Sequence, residues 1–343
     1  MKTRIKALLT WILAAVLRPG LIGRFHRGQL TILMYHGIVD RPLIIPDSCM
    51  VHVDAFRSQM RHLSRNFKVV SLTDAVRLIH ENSIKEPTVV ITFDDGYQNN
   101  FDLALPILEE ESLPATIFLA TLFVDSDTTI WTGLLQNAFS KSDLPNFEWR
   151  EKTFQLATPE QRLASLKTVK SMLKDNPQDS LFDEVHSIVE MLGNGRSIAL
   201  DDDSPYRMLD SKSLSQLVKS DLIDICAHTH SHYVLSRIPA STQKQEILQS
   251  LDIIEQHSGE RCTTFAYPNG TKADYDRHCL EILREAGIDA AVTTEPGTCH
   301  ADSPPLELER IAVDANADMS SFKLSVFDIV GRVKNKLQKR KTA

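Results

Sequence analysis

The chain has 343 residues, 42% of them hydrophobic and 24% charged, with a formal net charge of −7 at neutral pH. That length is enough for one large α/β core, and the composition excludes a fibre, a disordered chain and a multi-pass membrane protein. The charge is uneven: with the 12 Lys and Arg before residue 29 and after Asp328 set aside, 26 bases face 45 acids, about −19. An acidic body argues against nucleic acid as a partner, and basic ends favour peripheral contact with an anionic membrane.

The first element in the chain is the apolar run Ala7–Leu17, behind Lys2, Arg4 and Lys6. It falls short of the roughly 20 residues that span a bilayer. Arg18-Pro19-Gly20 stands where a signal peptide would carry its small-residue cleavage site. Residues 1–28 are therefore expected to form a basic, apolar membrane-surface helix, with a signal peptide or a core helix as alternatives. Five cysteines, at 49, 226, 262, 279 and 299, are odd in number and lack any CxxC spacing. They read as reduced thiols and favour the cytoplasm, with peripheral contact at the inner membrane; a periplasmic or membrane-anchored protein is the alternative.

From Thr31 onward short β-rich runs alternate with helical patterns, the signature of a parallel sheet or barrel. The predicted strands are Thr31–His36, Val89–Phe93, Ala115–Leu119, Asp224–Ala227, Thr264–Tyr267, Ala290–Thr293 and Glu309–Val313. Predicted helices are Asp54–Leu63, Leu72–His80, Asp102–Glu111, Thr242–His257 and Tyr275–Ala286, the last closed by Gly287. One stretch breaks the rhythm. Between the third and fourth strands the pattern turns helical, with Gln161–Lys174 and Leu181–Leu192 amphipathic, so a helical insertion is expected at about 126–210. Such a loop insertion on a barrel either sets substrate specificity or is a surface excursion. The barrel itself is expected over 29–320, with a basic helix or tail over 321–343.

Four motifs fall at predicted strand ends. Thr92-Phe93-Asp94-Asp95-Gly96 places two adjacent carboxylates after a strongly apolar strand. Two such groups stay ionised together only when a cation neutralises one, which suggests a metal ligand beside a base. His228-Thr229-His230-Ser231-His232 holds three histidines in five residues. Whether that stretch is helical or extended, His228 and His232 share a face, and an extended backbone would bring His230 to it as well. With Asp95 they make a two-His, one-carboxylate set with open positions, suited to Zn, Fe, Co or Mn and to activating water. Phe265-Ala266-Tyr267-Pro268-Asn269-Gly270 forms a turn that can aim N–H groups at an oxyanion. Met34-Tyr35-His36-Gly37 puts His36 on the same rim, either as a general acid or as a structural histidine.

In this order the four motifs resemble the polysaccharide deacetylase family (the NodB-homology fold, carbohydrate esterase family 4). The likeness is specific at Thr92–Gly96 and at His228–His232 and runs from Leu30 to Val313, the insertion aside. It implies a distorted (β/α)7-type barrel and metal-dependent removal of acetyl groups from N-acetylated sugars. Carried over by motif, Asp94 is the base and Asp95, His228 and His232 hold a divalent metal, zinc first, with Co2+, Mn2+ or Ni2+ as alternatives. His230, Tyr267 and Asn269 fall to the substrate rim or oxyanion site. Two departures stand out. Ala266 and Asn269 lie where the family carries an Arg, so Arg310 is expected to orient Asp94 instead. The late Leu-x-His motif is not recognisable, so the acid is expected from His36, as in the branch that acts on poly-N-acetylglucosamine. The expected substrate is an N-acetylated oligo- or polysaccharide or its lipid-linked precursor. An O-acetyl sugar esterase and a catalytically degenerate carbohydrate-binding protein are the rival readings.

Overall fold

The computed structural model describes residues 28–328. The segment before residue 28, with its expected membrane-surface helix, and the basic stretch beyond Asp328 lie outside the described residues. Among the described residues no helix is long and apolar enough to cross a membrane.

In chain order the strands are β1 (Leu30–Tyr35), β2 (Gly37–Val39), β3 (Met50–His52), β4 (Lys68–Val69), β5 (Thr88–Phe93) and β6 (Ala115–Leu119), then β7 (Asn146–Trp149), β8 (Lys152–Gln155), β9 (Ile223–Ala227), β10 (Thr264–Ala266), β11 (Ala290–Pro296) and β12 (Leu308–Ala312). The helices are α1 (Val53–Asn66), α2 (Leu72–His80), α3 (Leu105–Glu111), α4 (Trp131–Lys141) and α5 (Pro159–Lys174), then α6 (Leu181–Gly193), α7 (Ser211–Leu217), α8 (Ala240–Ser258), α9 (Arg277–Glu285) and α10 (Met319–Val326).

Seven strands close a parallel barrel. The sheet runs β1-β12-β11-β10-β9-β6-β5, and β5 pairs back onto β1 from Leu30↔Thr88 to Tyr35↔Phe93. Every residue of β1, β5 and β6 is buried, as expected of strands covered on both faces, and this is why they read as continuous apolar runs. The closure is uneven: β9 and β10 share the single register pair Phe265↔Ala227, and β11 bulges against β12. These seams distort the barrel. Because the barrel strands are all parallel, their C-terminal ends share one rim, and the four motifs sit there together.

Between β6 and β9 the chain packs a second hydrophobic cluster, including Trp131, Phe139, Phe147, Val169 and Ile188. The expected helices are present as α5 and α6. An antiparallel hairpin, β7–β8, accompanies them where only helix was expected. Its alternation is clear in burial, with Phe147, Trp149 and Phe154 inward. Arg150 and Glu151 at its tip both take positive φ, the conformation usually supplied by Asn-Gly, so no turn signal marks it.

The barrel core also runs past residue 320. Phe322 and Val326 of α10 are buried in it, and the Thr31 hydroxyl donates to the Val326 carbonyl at 2.9 Å. Residues 321–326 are helical, within α10, and pack against the barrel body.

Candidate active site

Three of the four motifs turn at the rim through left-handed backbone. Asp95, Thr229, His232 and Asn269 all have positive φ, between 59° and 76°. For a β-branched residue such as Thr229 this is a true outlier, costing on the order of 1–3 kcal/mol. Local hydrogen bonds hold the turns in place. The Thr229 hydroxyl accepts from the His232 N–H at 3.0 Å, and Glu246 Oε2 accepts from the Ser231 N–H at 2.6 Å. The His228 N–H donates to the Leu119 carbonyl at 2.8 Å. Gly270 (φ +65°) closes the turn after Asn269; a Cβ there would lie 2.9 Å from both the Thr294 nitrogen and the Tyr267 carbonyl.

The result is a cavity of about 180 Å³ whose barrel side presents His36, Asp94, Asp95, His228, His232 and Asn269. Asp95, His228 and His232 each offer a ligand atom, all within 4.8 Å of one another. His232 Nε2 and His228 Nε2 lie 3.3 and 3.6 Å from the same Asp95 oxygen. His228 Nδ1 faces the Ala266 carbonyl at 2.7 Å, and a carbonyl only accepts, so this nitrogen carries the proton and Nε2 turns a lone pair to the site. Burial pushes His228 down to about 4, which keeps it neutral near pH 7. Burial opposes the Asp95 charge, but contact with His232 and the nearby His36 ring outweigh it and hold its carboxyl well below the usual range.

Asp94 is partnered differently. Arg310 Nη1 and Nη2 donate to its two oxygens at 2.7 and 2.6 Å, with side-chain exposures of 0% and 2%. Arg310 is itself held by the Thr293 carbonyl at 2.7 Å and the Thr92 hydroxyl at 3.1 Å. Burial alone would raise the Asp94 carboxyl; the guanidinium more than offsets it and keeps it below the ordinary aspartate value. His36 is half-buried beside Cys49. Burial works against its charge, yet Cys49 and the Asp95 and Asp94 carboxylates raise it to about 10. Asn269 lines the cavity with an Nδ2 donor that has no partner among the described residues.

Two expected rim residues are elsewhere. Tyr267 is fully buried, donates to the Leu306 carbonyl at 2.9 Å and stacks on Tyr275 with ring centres 4.1 Å apart. It buttresses the turn from behind. His230 points out of the cavity, its Nδ1 3.0 Å from the Thr121 hydroxyl and its Nε2 3.1 Å from Gln249. β9 stops at Ala227, and the left-handed turn at Thr229 breaks the alternation that would have carried His230 inward.

The far wall was missed. It comes from the segment between β6 and β9, which supplies Thr132, Lys170 and Tyr206, and from the loop before β3, which supplies Asp47 and Cys49. No local pattern marks these residues. The expected insertion at about 126–210, read either as a specificity element or as a surface excursion, covers Thr132, Lys170 and Tyr206 but not Asp47 or Cys49.

Comparison with known proteins bears on this arrangement directly. The sequence model of the polysaccharide deacetylase family matches residues 81–178 and 187–291, more than half of the chain. A Bacillus subtilis (strain 168) protein, YxkH, named as a polysaccharide deacetylase, is 23% identical over 296 residues, 86% of this chain and 75% of its own. Among solved structures, Streptococcus pyogenes deacetylase PplD in complex with acetate superposes with a TM-score of 0.59 at 18% identity, over 87% of this chain and 98% of that one. IcaB from Ammonifex degensii gives a TM-score of 0.55 at 16% identity, over 88% and 97%. At such identities the structural likeness speaks for the fold, and the family match carries the assignment: the chain belongs to the polysaccharide deacetylase family and is a carbohydrate deacetylase, a hydrolase.

Proposed function

We propose that the protein is a metal-dependent hydrolase that removes N-acetyl groups from amino sugars of a polysaccharide or of its lipid-linked precursor. The observation that carries this reading is a buried carboxylate, Asp94, locked to Arg310 beside the separate Asp95-His228-His232 cluster in one cavity. The cluster suits a divalent cation: its donors are one carboxylate and two imidazoles, and the Ala266 carbonyl orients His228 for it. When bound there, such a cation supplies Lewis-acid activation of water and of the acetyl carbonyl.

The chain's own residues supply the rest. Arg310 keeps Asp94 ionised and fixed in orientation, so its remaining lone pairs take the proton of the attacking water. The unpartnered Asn269 Nδ2 donates to the oxygen that gains charge as the new C–O bond forms. His36, on the same cavity wall, delivers a proton to the sugar nitrogen as the C–N bond breaks, leaving acetate and a free amine. A pure binding protein has no use for an ionised, arginine-locked carboxylate next to its metal cluster, which weighs against that alternative.

The test pairs metal analysis with acetate release from N-acetylated and O-acetylated sugars, with and without chelator. Asp94→Asn is expected to keep its metal and lose about 10²- to 10⁴-fold in turnover, the usual contribution of a general base. His232→Ala is expected to lose the metal. Near-normal turnover in the first variant, or full metal content in the second, would remove that residue from the mechanism. Release from O-acetyl sugars alone would make the protein an esterase.

A further inference from the structure

We infer that Lys170 is a specificity-determining residue that selects amino sugars carrying an anionic oxygen, phosphate or carboxylate, on the same ring as the acetyl group. This rests on the deacetylase reading above and narrows its substrate class.

Lys170 belongs to α5, outside the barrel, yet it lines the same cavity as Asp94, Asp95 and the two histidines. Its hydrogen bond among the described residues goes to a neutral partner, Gln136 Oε1, at 3.2 Å. Gln136 is itself buried and anchored to the Ile45 carbonyl at 3.4 Å, so the acceptor is fixed. One turn further along the helix, Lys174 is neutralised by Asp274 at 3.0 Å; Lys170 has no such carboxylate.

No acid in the cavity forms an ion pair with Lys170: Asp94 is held by Arg310, Asp95 faces the two histidines, and Asp47, whose charge acts on Lys170 from a distance, accepts from the Tyr206 hydroxyl at 3.4 Å. An ammonium has three donors, and Gln136 uses one. A partly buried ammonium with no carboxylate in direct contact is costly, and a sugar hydroxyl would satisfy a donor without pairing the charge. An anionic oxygen does both. One cavity of about 180 Å³ is lined by both Lys170 and the Asp95-His228-His232 cluster, so we place the anion on the ring whose acetyl group is at the cluster.

The experiment uses metal-loaded, full-length protein and three probes: methyl N-acetylglucosaminide, the glycosyl phosphate of N-acetylglucosamine, and an O-carboxymethyl ether of the methyl glycoside. The quantity read is kcat/KM for each charged probe relative to the neutral one. In Lys170→Met this ratio should fall about ten- to hundred-fold, the range for one hydrogen bond to a charged group, chiefly through KM. Lys170→Arg should restore part of it. The charged probe that loses the advantage tells phosphate from carboxylate. Equal ratios in Lys170→Met and the unaltered protein, or no preference for a charged probe in the unaltered protein, overturn the inference. If no probe releases acetate, the deacetylase reading fails, and calorimetric binding of the same probes decides the role of Lys170. Charged-probe affinity lost in Lys170→Met then sustains it, and affinity unchanged or absent throughout rejects it.

Discussion

Arg310→Met is the most informative perturbation of the site. The guanidinium makes both of its bonds to Asp94 in a place where neither side chain meets solvent, and it has two further acceptors in Thr293 and Thr92. Removing one partner of such a pair leaves an uncompensated buried charge and costs about 3–5 kcal/mol. That is a large fraction of the 5–15 kcal/mol that holds a typical domain together. Asp94→Asn should cost a similar amount, because it strands the arginine. The double variant Asp94→Asn/Arg310→Met should cost less than the two single variants added together, by about 2 kcal/mol or more, since the stranded charge is then absent. Urea unfolding of the four proteins, followed by circular dichroism, measures this cycle, with equal slopes required so that midpoints compare like with like. If the two costs add to within about 0.5 kcal/mol, the pair is not a unit and the orienting role given to Arg310 is wrong.

Two predictions lie at or beyond the edge of the cavity. Gly270→Ala forces a Cβ against two backbone atoms at a φ of +65°, so it should cost about 1–3 kcal/mol and lower kcat with metal content unchanged, as read by thermal melting, acetate release and metal analysis. His62, partly buried between Phe67 and Phe322, is lowered to about 4, first by burial and then by Lys323. The folded state thus favours the neutral ring, and below its unfolded value of 6.5 the unfolded chain binds the extra proton. Its stabilising contribution is present above pH 6.5 and is lost as pH falls toward 4. The loss is at most about 3 kcal/mol, less with solvent screening. His62→Leu should remove this part of the acid sensitivity, and an unchanged pH profile of unfolding would show that the ring does not titrate this way.

The barrel was legible because strands such as β1, β5 and β6 are covered on both faces. Burial on both sides demands uninterrupted apolar runs such as those of β1 and β5, and those runs are visible without any partner. The motifs at their ends were legible for a related reason: parallel strands deliver every C-terminal end to one rim, so order along the chain becomes proximity in space. What failed was local backbone geometry. An extended reading of His228–His232 carries His230 inward, but the positive φ of Thr229, unusual for a β-branched residue, turns it out. The hairpin at β7–β8 was hidden for the same reason, its left-handed tip being Arg-Glu.

Arg310 and Lys170 mark the two ways a site escapes a linear reading. Arg310 stands 216 residues from Asp94, and no spacing rule connects them. The connection is topological: β12 pairs with β1 and β1 with β5, so barrel closure brings the guanidinium to the rim beside the end of β5. Resemblance to a family supplies that link because the family shares the closure. Lys170 has no such support. It reaches the cavity from α5, in a segment with its own hydrophobic cluster, and only the packing of that cluster against the barrel decides which α5 side chain faces the rim. The barrel side of the cavity therefore carries the motifs on which the family resemblance rests. The wall drawn from between β6 and β9 is where this chain can differ from its relatives in what it accepts.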